Sequence, residues 1–278
     1  MNLSHFQSLP FTPLIIIGAG RSGTNALRDS LTRLPSFSTW PCDEINPIWR
    51  HGNLDWPNDE FPVELATPRI RYVIRRSFYR LWRERGRPNF VVEKTCANSL
   101  RVPFVNAILP EALFIYIVRN GFDVVASARK RWCGELEVNS ISYFLKKALY
   151  APVADLPYYA ISALKNRLAI KLGLQNHFNS WGPRFSGLDS FSDSPLDEIV
   201  AHQWLTCVTL CDAAFSTLQP ERVFNLRYED FTSNPMICLT QIARWLQIQL
   251  NEVDLTNAAS FIHSSSVGKG ECDSELLS

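Results

Sequence analysis

The sequence lacks long apolar runs and has no excess of charge of either sign. The apolar run at residues 14–17 is far shorter than the ~20 residues that a membrane helix needs. Lys and Arg total 28 against 27 Asp and Glu, a formal net charge of +1. Proteins that bind nucleic acid or anionic lipid usually carry a basic excess. We therefore expect no nucleic acid and no membrane as partner, although a local basic cleft stays open.

Cysteine and histidine show no metal or disulfide pattern. The seven Cys residues are odd in number and contain no C-x-x-C pair, and the five His residues are scattered. Neither a disulfide framework nor a metal site is expected. The first residues lack the zones of a signal peptide, so we expect a cytoplasmic protein. With 46% hydrophobic and 20% charged residues, the composition fits a globular protein, which we expect to form a single domain over residues 1–278.

Short apolar runs alternate with helical patterns along the first half of the chain. Buried-type strands are predicted at residues 14–17, 90–92, 113–118 and 223–226, whereas residues 36–40 make a poor strand. Amphipathic helices are predicted after the first strand, around residues 62–87 and 204–218, and from Pro235 onwards. Residues 173–195 are predicted to form a long surface loop. The sequence therefore indicates an α/β fold, a central parallel sheet flanked by helices.

A glycine-rich loop follows the first predicted strand and precedes a helix. Backbone N–H groups converge in such a loop, and the helix N-terminus favours an anion. It is no Walker A loop, because Gly23 stands where that motif has Lys. Three interpretations stay open: a turn without ligand, a dinucleotide site with Asp43 or Glu44 on the ribose, and a nucleotide with an anionic 5′ end. The candidate phosphate-binding residues are Gly20, Arg21, Ser22, Gly23, Thr24 and Asn25.

A second candidate phosphate site follows the strand at residues 113–118. Arg119 ends this strand, and Ser127 lies on the next predicted helix. Ligands of open α/β sheets bind beyond the carboxyl ends of strands, and a guanidinium holds phosphate bidentately. The alternative is a local ion pair between Arg119 and Asp123. Two phosphate sites indicate a nucleotide with phosphate at both ends.

Four motifs in order resemble sulfotransferases that use 3′-phosphoadenosine 5′-phosphosulfate (PAPS). Residues 21–24 resemble the P-K/R-S-G-T loop for the 5′-phosphosulfate, and residues 119–127 resemble the R-N/D-x-x-D-V-x-x-S motif for the 3′-phosphate. Residues 93–95 resemble the E-K-S/T segment of carbohydrate sulfotransferases, and residues 227–235 resemble R-Y-E-D-L-x-x-x-P, which places Tyr228 at the nucleotide. The resemblance implies a P-loop-like sulfotransferase fold with PAPS as co-substrate and no metal.

The departures from the family pattern bear on the catalytic base. Cys96 stands where the cytosolic branch has its catalytic His, and residues 42–44 resemble the Cys-Gly-Glu-Glu segment of the tyrosylprotein branch. Glu44 is thus the implied base, with a raised pKa, and His51 is the rival. Phe122 replaces a basic residue of the 3′ motif. Residues 267–270 only echo the C-terminal R-K-G-x-x-G-D-W element, which leaves Lys269 as a further phosphate contact.

The implied reaction is in-line sulfuryl transfer to a hydroxyl group. Arg21 and Lys94 would stabilise the developing charge, and Glu44 would accept the hydroxyl proton. The Arg- and Trp-rich segment at residues 49–87 is either an acceptor site or a solvated helix over the sheet. The acceptor stays open between a glycan, a lipid or small-molecule alcohol, and a peptide Tyr, and the sequence leaves the oligomeric state open. The alternatives are a non-catalytic nucleotide-binding module and an NAD-dependent oxidoreductase.

Overall fold

A computed structural model describes residues 6, 8–132, 148–162, 182–262 and 267–268. Its centre is a five-stranded parallel sheet with the order β2-β3-β1-β4-β5. The strands are β1 (Thr12–Ile17), β2 (Phe37–Ser38), β3 (Phe90–Lys94), β4 (Leu113–Val118) and β5 (Val223–Arg227). The predicted α/β class and parallel sheet are confirmed.

Helices cover both faces of this sheet. They are α1 (Thr24–Leu31), α2 (Asn46–Trp49), α3 (Pro68–Glu84), α4 (Val102–Ile108), α5 (Gly121–Trp132), α6 (Leu196–Phe215), α7 (Tyr228–Ser233), α8 (Pro235–Trp245) and α9 (Glu252–Ala259). No helix in the described part of the chain is both long and apolar enough to cross a membrane.

The alternation of side chains along β1 explains its continuous apolar run. Ile15 and Ile17 pack with α2, α3, α4 and α6, whereas Leu14 and Ile16 pack with α1, α7, α8 and α9. A strand covered by helices on both faces needs apolar residues at every position.

The strand order places the candidate motifs at one edge of the sheet. β1 lies between β3 and β4, with Ile16 opposite Lys94 and Ile17 opposite Tyr116. The chain therefore leaves β1, β3 and β4 at neighbouring carboxyl ends, where open α/β sheets bind ligands. The glycine loop, Lys94 and Arg119 meet there.

One segment differs from the sequence-based expectation, and the predicted surface loop, although mostly exposed, has buried anchor points. Residues 36–40 contain the short edge strand β2, in which Phe37 stacks on Phe90 of β3 with ring centroids 4.8 Å apart. The described part of the predicted surface loop, residues 182–195, is anchored: Asp59 Oδ2 accepts the Arg184 N–H at 2.9 Å, and Phe185 is buried. Local propensity is weak in both segments, and tertiary contacts determine their structure.

Candidate functional site

The loop between β1 and α1 has the backbone geometry of an anion cradle. Arg21 and Gly23 have positive φ angles of 69° and 84°, with Ser22 between them. Such alternation turns successive N–H groups toward one side, at the N-terminus of α1. Ser22 is fully buried and its hydroxyl has no hydrogen-bond partner within the described residues. A buried hydroxyl is rarely left unsatisfied, so the loop fits a phosphate-like group that would accept its proton.

Tyr228 joins this loop to the end of β4. A Cβ atom added to Gly23 would lie 2.2 Å from the Tyr228 ring, so only glycine permits this approach. The Arg119 guanidinium lies over the same Tyr228 ring, with its carbon 4.6 Å from the ring centroid. The three residues thus form one packed unit between the two predicted phosphate sites.

The contact between Gly23 and Tyr228 gives a stability prediction. We expect Gly23→Ala to lower the free energy of unfolding by roughly 2–5 kcal/mol, because backbone strain at positive φ and overpacking add. Gly187→Ala is the matched control, since Gly187 also has a φ of 84° but no atom lies within 4 Å of the added Cβ. Urea unfolding of both variants separates the two effects. Equal losses in the two variants would contradict the packing argument.

Arg119, which follows β4, contacts both the glycine loop and Asp123 on the next helix, α5. Its Nη1 donates to the carbonyl oxygen of Arg21 at 3.0 Å, and its Nη2 lies 3.7 Å from Asp123 Oδ2. The local ion pair considered as an alternative is therefore present together with the contact to the loop. The Gly268 N–H also donates to Asp123 Oδ2, at 2.8 Å. Lys269 lies outside the described residues.

Arg21 and Ser127 meet across the two motifs. The Arg21 Nε atom donates to Ser127 Oγ at 3.0 Å. The sequence analysis assigned Arg21 to the 5′ end and Ser127 to the 3′ end of a nucleotide. The contact shows that these two side chains lie next to each other. Asn25, the next loop candidate, is exposed on α1, whereas Thr24 is buried.

Lys94 lies among carboxylates at the end of β3. Its Nζ atom is 3.0 Å from Glu44 Oε1 and 3.1 Å from Asp43 Oδ1. Glu44 Oε1 also accepts the Cys96 N–H at 3.1 Å, and Asp43 pairs with Arg28 at 2.6 Å. The structure thus brings together two of the residues that the sequence analysis assigned to the reaction, Glu44 and Lys94. It adds Asp43 and Arg28 to the cluster, which no motif had singled out for this role.

The pKa of Glu44 is lowered, and the raised pKa expected for a base is wrong for this state of the protein. Burial alone would raise the pKa of Glu44, but the charge of Lys94 and the Cys96 N–H outweigh it. The pKa of Lys94 is raised for the complementary reason, because Glu44 and Asp43 more than compensate for its burial. Glu44 is therefore ionised, and Lys94 is charged.

The rival base and the Arg- and Trp-rich segment have other partners. His51 Nδ1 lies 2.7 Å from Asp155 Oδ2, and both side chains are mostly buried. Trp49 is fully buried against Phe78, and Trp82 stacks on Phe11. In the same segment Arg75 is buried and pairs with Glu111. Trp49, Arg75 and Trp82 thus belong to the α3 layer and do not offer a surface for an acceptor. The segment also has exposed side chains, those of Trp56, Arg69, Arg71 and Arg76.

A cavity of about 790 Å³ lies beside Arg119, between the start of α5 and α6. Phe122, Val125, Trp204 and Leu205 give it an apolar wall, and Glu229 lies at its edge. It opens on the β4–β5 side of the site, away from Lys94 on β3. Within the described residues, no cluster of three or more His, Cys, Asp or Glu side chains is arranged to hold a metal ion.

Comparison with known proteins agrees with this geometry. The profile of the sulfotransferase family matches residues 13–167, which is more than half of the 278 residues. The chain belongs to the sulfotransferase family. The match covers the glycine loop, Glu44, Lys94, Arg119 and Ser127. Among curated proteins, none is similar enough in sequence to count as a match.

Solved structures of sulfotransferases share the fold. The sulfotransferase domain from the curacin biosynthetic pathway has a TM-score of 0.52 at 16% identity, covering 93% of this chain and 86% of its own. The sulfotransferase domain of the Synechococcus PCC 7002 olefin synthase has a TM-score of 0.51 at 16% identity, covering 91% and 78%. Sulfotransferase STF1 from Mycobacterium tuberculosis has a TM-score of 0.51 at 12% identity, covering 90% and 71%. The predicted sulfotransferase fold is confirmed.

Proposed function

We propose that this protein transfers a sulfuryl group from PAPS to a hydroxyl acceptor, with Glu44 as general base. The observation that carries the proposal is the placement of two anion-binding elements and one Lys–Glu pair at the carboxyl ends of three adjacent strands. The cradle follows β1, Arg119 follows β4, and Lys94, paired with Glu44, is the last residue of β3. Family membership supports sulfuryl transfer as the reaction class.

The spacing of the strands matches a nucleotide with anionic groups at both ends. β3 and β4 lie on opposite sides of β1, so Lys94 and Arg119 are about two strand spacings apart, roughly 10 Å. Arg119 and Ser127 would hold the 3′-phosphate, and the Ser22–Gly23–Thr24 backbone would hold the 5′-phosphate. Lys94 would then face the sulfuryl group, on the same side as Glu44. Lys269 stays a predicted further phosphate contact.

The chain's residues divide the chemistry of transfer between them. Glu44 accepts the proton of the acceptor hydroxyl while the oxygen of that hydroxyl forms the new bond to sulfur. Lys94, with Arg21 at the loop, stabilises the electron pair left on the phosphate oxygen when the old sulfur–oxygen bond breaks. The products are a sulfated acceptor, adenosine 3′,5′-bisphosphate and the proton on Glu44.

Donor binding would raise the pKa of Glu44, as its role as a base requires. In the structure, Lys94 holds that pKa down. A donor adds negative charge near Lys94 and so competes with Glu44 for the ammonium group. Both the added charge and the burial of Glu44 then raise its pKa. The carboxylate becomes a better proton acceptor only when the donor is in place.

The alternative functions account for less of the geometry. An NAD-dependent oxidoreductase needs an acid on the ribose, but Asp43 and Glu44 are engaged with Arg28 and Lys94. A non-catalytic nucleotide-binding module would need the two phosphate elements but not the Lys94–Glu44 pair. The cytoplasmic location stays a prediction from the sequence, as does the choice among glycan, alcohol and peptide Tyr acceptors.

Ligand-induced stabilisation tests the choice of nucleotide. We expect adenosine 3′,5′-bisphosphate to raise the melting temperature, because a ligand that binds only the native state stabilises it by about 2.7 kcal/mol at one hundred times its Kd. NAD and ATP, each of which lacks the 3′-phosphate, are the comparison ligands in the same thermal melt. Equal stabilisation by NAD would contradict the proposal, as would no stabilisation by the bisphosphate.

A substitution at Arg119 tests the assignment of the 3′-phosphate. We expect Arg119→Ala to weaken binding of adenosine 3′,5′-bisphosphate by ~1.5–3 kcal/mol, the contribution of hydrogen bonds to a charged group. Binding of adenosine 5′-monophosphate should change little. Calorimetric titration of both nucleotides measures the difference, and Arg119→Lys controls for packing on Tyr228. Equal losses for the two nucleotides would show that Arg119 supports the fold and not the phosphate.

A further inference from the structure

Glu44 lies on an irregular segment between β2 and α2, and the two residues that follow it, Ile45 and Asn46, are hydrogen-bonded to residues at and just after the end of β3. The first anchor involves Ile45, whose N–H donates to Thr95 Oγ1 at 3.2 Å. The Thr95 hydroxyl in turn donates to Glu93 Oε1 at 2.5 Å. A hydroxyl has only one proton, so donating it to Glu93 turns its lone pairs toward Ile45.

The second anchor starts from the other oxygen of the same carboxylate. Glu93 Oε2 accepts from Asn98 Nδ2 at 2.9 Å, and Asn98 Oδ1 accepts from Arg101 Nε at 2.9 Å. Arg101 Nη2 then donates to Asn46 Oδ1 at 2.6 Å. The two branches leave the segment at Ile45 and Asn46 and meet at Glu93. Together they form a closed hydrogen-bonded ring.

The ring is built from buried groups that the transfer reaction does not use. The side chains of Glu93, Thr95, Asn98 and Arg101 have no more than 1% exposure. Burying four polar side chains lowers stability unless they are hydrogen-bonded, and their mutual hydrogen bonds favour one arrangement of the members. Among these four, only Arg101 has an atom without a hydrogen-bond partner in the described residues: its Nη1, which lies 3.5 Å from Asp59 Oδ1. Replacing one member therefore affects the position of the whole segment.

We propose that Glu93 is a positioning residue, which holds the Glu44 segment against β3 through Thr95 and through Asn98 with Arg101. The inference rests on the proposed function, because it gives Glu44 the role of base. Glu93 itself does not reach the reacting atoms. It fixes the backbone on the C-terminal side of Glu44, so that the Glu44 carboxylate meets Lys94 and the Cys96 N–H.

The carboxylate suits this role better than an amide would. It offers acceptors to Thr95 and Asn98 at once, whereas the amide of Gln has one oxygen and would turn an NH₂ group toward one of the two donors. Burial raises the pKa of Glu93 to about 7, although the Thr95 hydroxyl favours its ionised form. Measurements are therefore made well above that pH, where Glu93 accepts from both partners.

The test compares Glu93→Gln, Thr95→Val and Thr95→Ser by two readouts on the same preparations. Hydrogen exchange at the Ile45 amide reports the anchor directly, and sulfuryl transfer reports its effect on catalysis. We expect Glu93→Gln and Thr95→Val to speed exchange and to lower kcat by ~10–10²-fold, since a misplacement of about 1 Å has effects of that size. KM for PAPS should stay within about twofold. Thr95→Ser, which keeps the hydroxyl, should behave like the unaltered protein.

The outcomes separate this inference from the proposed function. Unchanged exchange at Ile45 in Glu93→Gln would overturn the inference, and so would faster exchange with unchanged kcat. An equal loss in Thr95→Ser would also overturn it, because packing and not the hydroxyl would then be responsible. Failure of the proposed function appears in a different variant: Glu44→Gln would retain full transfer.

Discussion

Replacing Glu44 with Gln is expected to lower sulfuryl transfer by roughly 10²–10⁴-fold, the usual contribution of a general base. The amide keeps the shape of the side chain and an oxygen for Lys94 and the Cys96 N–H, which lie 3.0 and 3.1 Å away. It loses the negative charge that pairs with Lys94 and, with that charge, the ability to accept a proton. Affinity for adenosine 3′,5′-bisphosphate should barely change, because the contacts predicted to hold the phosphates lie on the loop after β1 and at Arg119.

The measurement is transfer to a panel of hydroxyl acceptors with bisphosphate affinity determined on the same preparation. Glu84→Gln is the matched control, since Glu84 lies at the end of α3 and pairs only with groups outside the site. Near-normal turnover in Glu44→Gln would move the base to another residue, with His51 and its partner Asp155 the next to test. If the unaltered protein transfers sulfate to no acceptor and yet binds the bisphosphate tightly, the non-catalytic nucleotide-binding module is favoured.

The sheet and its ligand-binding edge could be predicted from the sequence because they depend on local patterns. The runs that became β1, β3 and β4 are apolar at nearly every position, as strands covered on both faces must be, whereas the edge strand β5 is only partly buried. The glycine loop and Arg119 each follow such a strand directly. Once the sheet is parallel, their proximity follows from topology alone. Resemblance to a family assigned Glu44 and Lys94 separate roles in one reaction, but it did not predict that their side chains form an ion pair.

The remaining features depend on contacts between distant parts of the chain. Residues 36–40 carry no strong strand signal, yet Phe37 pairs with Phe90 and extends the sheet by a short edge strand. The lowered pKa of Glu44 requires the close approach of Lys94, which no spacing in the sequence gives. The Arg- and Trp-rich segment had an appropriate composition for binding an acceptor, but Trp49 and Trp82 belong to the core layer. Composition alone does not distinguish a buried aromatic from one that binds a ligand.

Glu93 shows a further limit of sequence reasoning. The E-K-S/T resemblance drew attention to residues 93–95 as one segment, although adjacent residues of a strand point to opposite faces. Lys94 faces Glu44, whereas Glu93 enters the ring with Asn98 and Arg101. Lys94 is thus a site residue and Glu93 a buried support, and only the three-dimensional contacts of the strand distinguish the two.

Removing Lys94 is the second change with a large expected effect, and it also moves the pH dependence. We expect Lys94→Met, which keeps an unbranched side chain one atom shorter, to lower transfer by about 10²–10³-fold through the loss of one fixed cation at the developing charge. The acid limb of the pH–rate profile should shift to higher pH. Lys94 lowers the pKa of Glu44, while burial and Asp43 raise it, so without Lys94 the pKa rises and the base becomes protonated at a higher pH.

The pH–rate profile of kcat/KM, which reports the pKa of the free enzyme, distinguishes this cause from a general loss of structure. Arg80→Met, which removes an exposed cation on α3, is the control and should leave both the rate and the profile unchanged. Bisphosphate-induced thermal stabilisation of Lys94→Met checks that the nucleotide site is still formed. A lower rate with an acid limb that stays in place would show that Lys94 does not set the pKa of the base. An acid limb that moves to lower pH would contradict the assignment of Glu44 as the group that titrates, because removing a cation can only raise the pKa of a neighbouring carboxyl.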